Sequence, residues 1–244
     1  MLQFAGTSHH STTLAQMDLS SSAICQGLDF DTASRVVPLV SIRNYAPKQP
    51  IFYELDPAKY VYEVITGVLT LYKQLPDGRR QITGFLYPGH YLGLTVHGHH
   101  VHSAEALTDV TVCRYPRDKI EKLVSELPAL AMRLLTLTGN ELAVAQDQML
   151  LLGRKTATEK IASFLLSMSE QNEERGEDES SLYLPMSRVD IGDYLGLTIE
   201  TVSRIFTRLR KAGVISLDQS NVVLLNDIDR LARLANGDDT LFCN

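Results

Sequence analysis

Arg204, Arg208, Arg210 and Lys211 crowd into "TVSRIFTRLRK" (201–211), in a chain that otherwise carries 23 basic residues against 29 acidic ones. Cations at that density suit a polyanion, and the planar fork of a guanidinium matches guanine O6 and N7 with two hydrogen bonds. Arg204 is therefore a candidate base reader. Glu200 can accept from a cytosine amino group or orient an arginine, and Thr201 and Ser203 bring short hydroxyls to the same place. Arg188, Thr198, Arg208 and Lys211 are candidates for phosphate contacts, which position a protein on DNA without reading sequence.

These side chains do such chemistry only if one face presents them together. In "MSRVDIGDYLGLTIETVSRIF" (186–206), Ser187 followed three residues later by Asp190 is a capping signature, and Gly196 suits a left-handed helix stop. Thr198 can cap a second helix. Ile191, Leu195, Leu197, Val202 and Ile205 can pack the two helices together, with Gly192 allowing close approach. The spacing predicts a helix-turn-helix whose second helix lies in the major groove, with Glu200, Thr201, Ser203 and Arg204 at its leading end. "GVISL" and "NVVLL" flank Asp218, Gln219 and Ser220 and predict a β-hairpin wing. On this pattern alone, a helical hairpin whose arginines form a solvated face stays open.

The rest of the chain sets the frame. At 244 residues and 44% hydrophobic it has room for two domains, and its net charge of -6 argues against indiscriminate polyanion binding while permitting a local basic face. No apolar run approaches the roughly 18 to 20 residues of a membrane helix, and the first residues lack signal-peptide character, so no membrane partner is expected and the expected compartment is the cytoplasm. Cys25, Cys113 and Cys243 are too few and too scattered for a disulfide framework or a paired-cysteine metal site. No nucleotide, hydrolase or metalloprotease fingerprint is present, and the chain is not expected to be an enzyme.

Texture divides the chain into a flexible arm (1–27), a strand-rich domain (28–116), a dimerisation-helix region (117–152), a DNA-binding domain (153–236) and a tail (237–244). Short β-branched and aromatic runs broken by Pro-Asp-Gly (76–78) and Pro88-Gly89 predict a β-roll. From about Arg117 to Glu170 the period lengthens. Leu135, Leu142, Ala145, Met149 and Leu152 form a heptad-like seam on one long helix, which packs either within its own domain or against a second copy. "EQNEERGEDESS" (170–181), with six acids and one Arg, reads as a solvated loop.

From about residue 60 to 235 the chain resembles the CRP/FNR family of bacterial transcription regulators, in its FNR and FixK branch. The matching pieces are "GRRQITGFLYPGHYLG", "ALTDVTVCRYP", "DQMLLLGRKTATEKIASFL" and, most specifically, "LPMSRVDIGDYLGLTIETVSR". The resemblance implies an α+β chain: an N-terminal β-roll (jelly roll) of cyclic-nucleotide-binding type, a long dimerisation helix and a C-terminal winged helix-turn-helix. It also implies a homodimer on palindromic double-stranded DNA of the TTGAT and ATCAA kind with a four-base gap, an RNA polymerase partner, and base-reading roles for Glu200, Ser203 and Arg204.

Departures from the family pattern carry the expectations about cofactors. Where cyclic-nucleotide binders have Gly-Glu and Arg-Ser/Thr-Ala, this chain has Gly93-Leu94 and His102-Ser103-Ala104, which lack the carboxylate and the guanidinium that hold ribose and phosphate. Cys113 stands at the family's central iron-sulfur cysteine, but Cys25 is the single N-terminal thiol beside it, too few for a [4Fe-4S] cluster. No cofactor is expected, and the resemblance points to a FixK-type activator of microaerobic respiration or nitrogen-fixation genes. A haem- or nitric-oxide-responsive regulator of the same family is one alternative. A metal- or small-molecule-binding β-roll acting through protein contacts is another, with His97, His99, His100 and His102 either as ligands or as a solvated loop. Cys113, alternating with Arg114, is expected to be a buried, inert thiol.

Overall fold

The computed structural model describes residues 22–95, 97–218 and 221–238. The described residues form two compact units: one from residues 22–71 and 85–139, the other from residues 72–84 and 140–238.

The N-terminal half of the chain is built on a β-roll, whose residues 72–84 group with the second unit. After a short helix α1 (Phe30–Val36), the strands are β1 (Ser41–Tyr45), β2 (Pro50–Phe52), β3 (Tyr60–Thr66), β4 (Leu69–Gln74), β5 (Arg80–Leu86), β6 (Tyr91–Leu92), β7 (Ser103–Ala106) and β8 (Val110–Pro116). They form two four-stranded sheets, ordered β1-β8-β3-β6 and β2-β7-β4-β5. β8 pairs antiparallel with both β1 and β3, setting Val64 opposite Val112 and Glu63 opposite Cys113. Strand alternation sends Val64, Leu69, Val110 and Val112 into one apolar core with Phe52 and Tyr62. Gly67 makes the β3–β4 turn at φ +81°, where a Cβ would sit 2.1 Å from the Asp109 carbonyl oxygen, so no side chain fits there.

Two calls are corrected in this region. The arm expected over 1–27 is anchored from Ser22 onward, with Ser22, Ala23, Ile24 and Cys25 all buried; residues 1–21 lie outside the described residues. The histidine run is not uniformly solvated: His100 is buried and stacks on Phe52 with ring centroids 3.6 Å apart. Among the described residues no group of three or more His, Cys, Asp or Glu is placed to hold a metal ion. Cys113 is fully buried as expected, and burial pushes its thiol up to about 12.

The single long helix expected after Arg117 is three: α2 (Arg117–Glu126), α3 (Pro128–Arg154) and α4 (Ala157–Glu174). Pro128 opens α3 because it has no N–H to give a preceding turn, and it drives Leu127 to an extended backbone. The second break is a capping box in which the Thr156 side chain accepts from the Glu159 N–H while Glu159 accepts from the Thr156 N–H. The acidic stretch begins inside α4, which runs to Glu174, so the solvated loop is shorter than 170–181.

In the second unit α4 leads into β9 (Ser181–Tyr183), α5 (Arg188–Leu195), α6 (Ile199–Lys211), β10 (Ile215–Leu217), β11 (Val222–Leu225) and α7 (Ile228–Ala235). β10, β11 and β9 make a three-stranded sheet in that order, and β10–β11 is the expected hairpin, although Gln219 and Ser220 at its tip lie outside the described residues. No helix among the described residues is long and apolar enough to cross a membrane.

Candidate nucleic-acid interface

Helix α5 starts where the sequence places its cap. Ser187 Oγ accepts from the Asp190 N–H at 3.2 Å, and Asp190 Oδ2 accepts from the Ser187 N–H at 2.9 Å. Gly196 ends the helix at φ +63°, in the left-handed region that glycine adopts without penalty. Two residues on, Thr198 caps α6 by accepting from the Thr201 N–H at 3.3 Å. Gly192 is the contact point between the helices, since a Cβ there would lie 2.6 Å from the Leu197 carbonyl oxygen.

The two sides of α6 differ sharply. Val202, Ile205, Phe206 and Leu209 are buried, at spacings that define one helix face. Glu200, Ser203, Arg204, Arg208 and Lys211 are exposed on the opposite face, and Thr201 is half-buried at its margin. Ile199, in the first turn, is 43% exposed, an apolar group that sequence reasoning passed over and that suits a thymine methyl. The Glu200 carboxyl is held below the usual carboxylate range by its own backbone N–H and by the Thr198 hydroxyl, so it is charged at neutral pH.

Thr198 and Arg188 have structural partners as well. Thr198 is the cap just described, and its hydroxyl also lies 3.2 Å from Thr201 Oγ1. The Arg188 guanidinium carbon lies 3.4 Å from the centroid of the Phe206 ring, stacked against the core side of α6.

Further positioning residues carried no signal in the local pattern. Arg80, in the part of the β4–β5 hairpin that belongs to the second unit, pairs with Asp190 and, at 3.1 Å, with Asp193 on α5. The last carbonyls of α5, which no intrahelical N–H can reach, are met from three directions. Gln81 Nε2 donates to the Asp193 oxygen at 2.7 Å, Gln148 Nε2 to the Tyr194 oxygen at 3.0 Å, and the buried Lys160 Nζ to the Leu195 oxygen at 3.1 Å. Both ends of α5 are thus fixed by side chains that approach from outside the motif, and α5 in turn fixes α6 through Gly192.

The seam residues Leu135, Leu142 and Met149 on α3 are 64%, 59% and 71% exposed, so α3 presents an apolar stripe that no described residue covers. Ala145 is also exposed, whereas Leu152 is half-buried, with its Cδ2 the nearest atom to the open side of Gly196.

A capped helix-turn-helix with an exposed, partly cationic second helix and a hairpin wing, in a chain that also carries a β-roll and a long helix, defines a DNA-binding transcription regulator. Residues 159–234 match the Crp-like helix-turn-helix domain, and residues 42–126 match the cyclic nucleotide-binding domain. The chain is 42% identical over 208 residues to the nitrogen fixation regulation protein FixK of Bradyrhizobium diazoefficiens, covering 85% of this chain and 88% of that protein. It is 36% identical to the transcriptional activator protein FnrL of Cereibacter sphaeroides, covering 89% of each. The solved structure of FixK2 from Bradyrhizobium japonicum superposes with a TM-score of 0.76 at 42% identity, covering 80% of this chain and 96% of that one. The chain belongs to the CRP/FNR family, among the FixK- and FNR-type transcriptional activators, and is not an enzyme.

The family's β-roll raises the question of a cyclic nucleotide, and the residues present do not fit one. Leu94 and His102 stand where the resemblance implies the ribose and phosphate contacts, and they bring neither a carboxylate nor a guanidinium. His100 occupies buried space beside Gly93, 3.5 Å from where a Cβ would be, and stacks on Phe52, so side chains already fill this part of the roll.

Proposed function

We propose that the chain acts as a cytoplasmic homodimeric activator that reads a palindrome of the TTGAT and ATCAA type, separated by four bases, without cyclic nucleotide or iron-sulfur cluster. The observation that carries this reading is the two-sided α6, with Val202, Ile205 and Phe206 buried and Glu200, Ser203 and Arg204 exposed at its leading end. Arg204 reads a guanine through its fork, Glu200 accepts from a cytosine amino group, and Thr201 and Ser203 pack at the base edges. Arg208, Lys211, Thr198 and Arg188 bind phosphates, and the stack of Arg188 on Phe206 keeps its guanidinium beside α6.

Two such helices reach successive major-groove faces only if two chains associate about a dyad. The exposed stripe of Leu135, Leu142, Ala145 and Met149 is suited to this, because it is apolar and puts no like charges across the axis. Nitrogen-fixation target genes accord with the FixK relatives, and microaerobic respiration genes and contact with RNA polymerase are what the family resemblance implies. Sedimentation of the protein with a fluorescent palindromic duplex tests the arrangement: two chains per duplex are expected, and saturation at one chain per duplex contradicts it.

A further inference from the structure

Glu63 sits in the first unit at 1% exposure, with no cationic partner among the described residues. An uncompensated buried carboxylate costs several kcal/mol unless donors surround it. Here they do. Ser22 Oγ donates to Oε2 at 2.7 Å, Tyr115 Oη donates to the same oxygen at 3.0 Å, and the Ala23 N–H donates to Oε1. All but Tyr115 come from one short segment that precedes α1.

That segment is gripped on its other side. Arg133, on α3, donates from Nε to the Ala23 carbonyl at 2.8 Å and from a terminal nitrogen to Gln26 Oε1 at 3.0 Å. Ile24 and Cys25 insert between these anchors into an apolar cluster with Cys113, Tyr115, Ile120 and Leu130. Residues 22–28 therefore lie between the β3–β8 pair and the first half of α3, covering both thiols. Burial raises the Cys25 and Cys113 pKa values and keeps both thiols protonated and unreactive while the segment is in place.

We propose that residues 22–28 form a strap, held by Glu63 and Arg133, that ties α3 to the β-roll and seals Cys25 and Cys113 from reaction. Glu63 and the strap depend on each other: without the strap the carboxyl keeps only Tyr115, and without the carboxyl the Ala23 N–H is buried with no acceptor and Ser22 Oγ keeps only the Tyr115 hydroxyl, 3.4 Å away. Release of the strap would loosen the half of α3 that carries Leu135 and expose two thiols in the same event. The link to dimerisation rests on the homodimer reading, whereas the seal on the thiols does not.

The test is the labelling rate of Cys25 and Cys113 by N-ethylmaleimide on the folded full-length protein, followed by peptide mass spectrometry, for wild type, Glu63→Ala and Arg133→Ala. Wild type should be protected at both positions. Both variants should label at both cysteines roughly ten- to a hundredfold faster, since each loses two or more of the hydrogen bonds that hold the strap. Circular dichroism reports whether each variant is folded. Should Glu63→Ala fail to fold, Arg133→Ala decides alone, because Arg133 lies at the partly exposed rim. Unchanged labelling in a folded variant, or Cys25 opening while Cys113 stays protected, overturns the proposal. A wild-type protein that is monomeric yet protected at both thiols would refute the homodimer reading and leave the strap standing.

Discussion

Gly192 and Leu197 are in closer contact than any other residue type at 192 would allow: a Cβ at 192 would fall 2.6 Å from the Leu197 carbonyl oxygen, while the Leu197 N–H donates to the Gly192 carbonyl at 3.0 Å. This pair sets the angle between the two helices of the motif. Gly192→Ala should cost about 1–3 kcal/mol of stability, the usual range for overpacking. It should also lose DNA affinity although residue 192 touches no base. Thermal unfolding and a DNA titration on the same preparation check both.

Base reading and phosphate contact are separable. Arg204→Ala should cost about 1–3 kcal/mol of binding and relax preference at one base of each half-site. Lys211→Ala should weaken binding to all sequences alike and reduce the slope of log affinity against log salt by about 1 per chain. Titrations at several salt concentrations, on the palindrome and on scrambled DNA, distinguish the two.

Leu142→Asp on the exposed stripe of α3 should give a folded monomer that binds DNA poorly, because it places like charges across the proposed dyad. Sedimentation equilibrium reads the first effect and circular dichroism confirms the second condition, that the fold is intact.

The pairing of Arg80 with Asp190 and Asp193 gives an expectation for a residue far in sequence from the motif. The three side chains are about 15% to 29% exposed. Arg80→Ala should destabilise α5 by about 1 kcal/mol, the upper part of the range for partly exposed pairs. Faster amide exchange over residues 188–195, with α4 unchanged, is the expected signature.

Glu63 gives a pH dependence with a defined sign. Burial raises its carboxyl above the ordinary 4.5, against the lowering effect of its hydrogen bonds. The folded state thus holds this proton more tightly than the unfolded chain. Its stabilising contribution is complete below the ordinary value and is lost as pH rises through the raised one. Glu63→Gln, which cannot ionise, should therefore gain stability relative to wild type across that window and show a constant difference below it. Urea unfolding from pH 4 upward in closely spaced steps measures this.

Much of the DNA-binding unit was legible in the sequence because its signals are local. Ser187 with Asp190, Gly196 and Thr198 each fix a helix end through the backbone beside them, and the structure uses all four in that way. The breaks at Leu127–Pro128 and Thr156 were equally local and were hidden by a heptad-like pattern that continues across them. What lay beyond sequence reasoning is long-range. Arg80 meets Asp190 across 110 positions, Arg133 meets Ala23 across 110, and Ser22 meets Glu63 across 41. Nothing in the periodicity around any of these residues announces its partner, and a buried glutamate in a β-branched strand reads locally as an outward-facing one. The burial of His100 was missed for the same reason, since its stack on Phe52 and its backbone bonds to Leu55 and Asp56 join segments far apart in sequence.

The most direct measurement is a gel-shift titration of aerobically purified, ligand-free and metal-free protein on a TTGAT-NNNN-ATCAA duplex, with Arg204→Ala alongside. Tight binding by wild type and its loss in the variant is the expected result. Absence of wild-type binding, or equal binding by the two proteins, would contradict a ligand-independent dimer that reads DNA through α6.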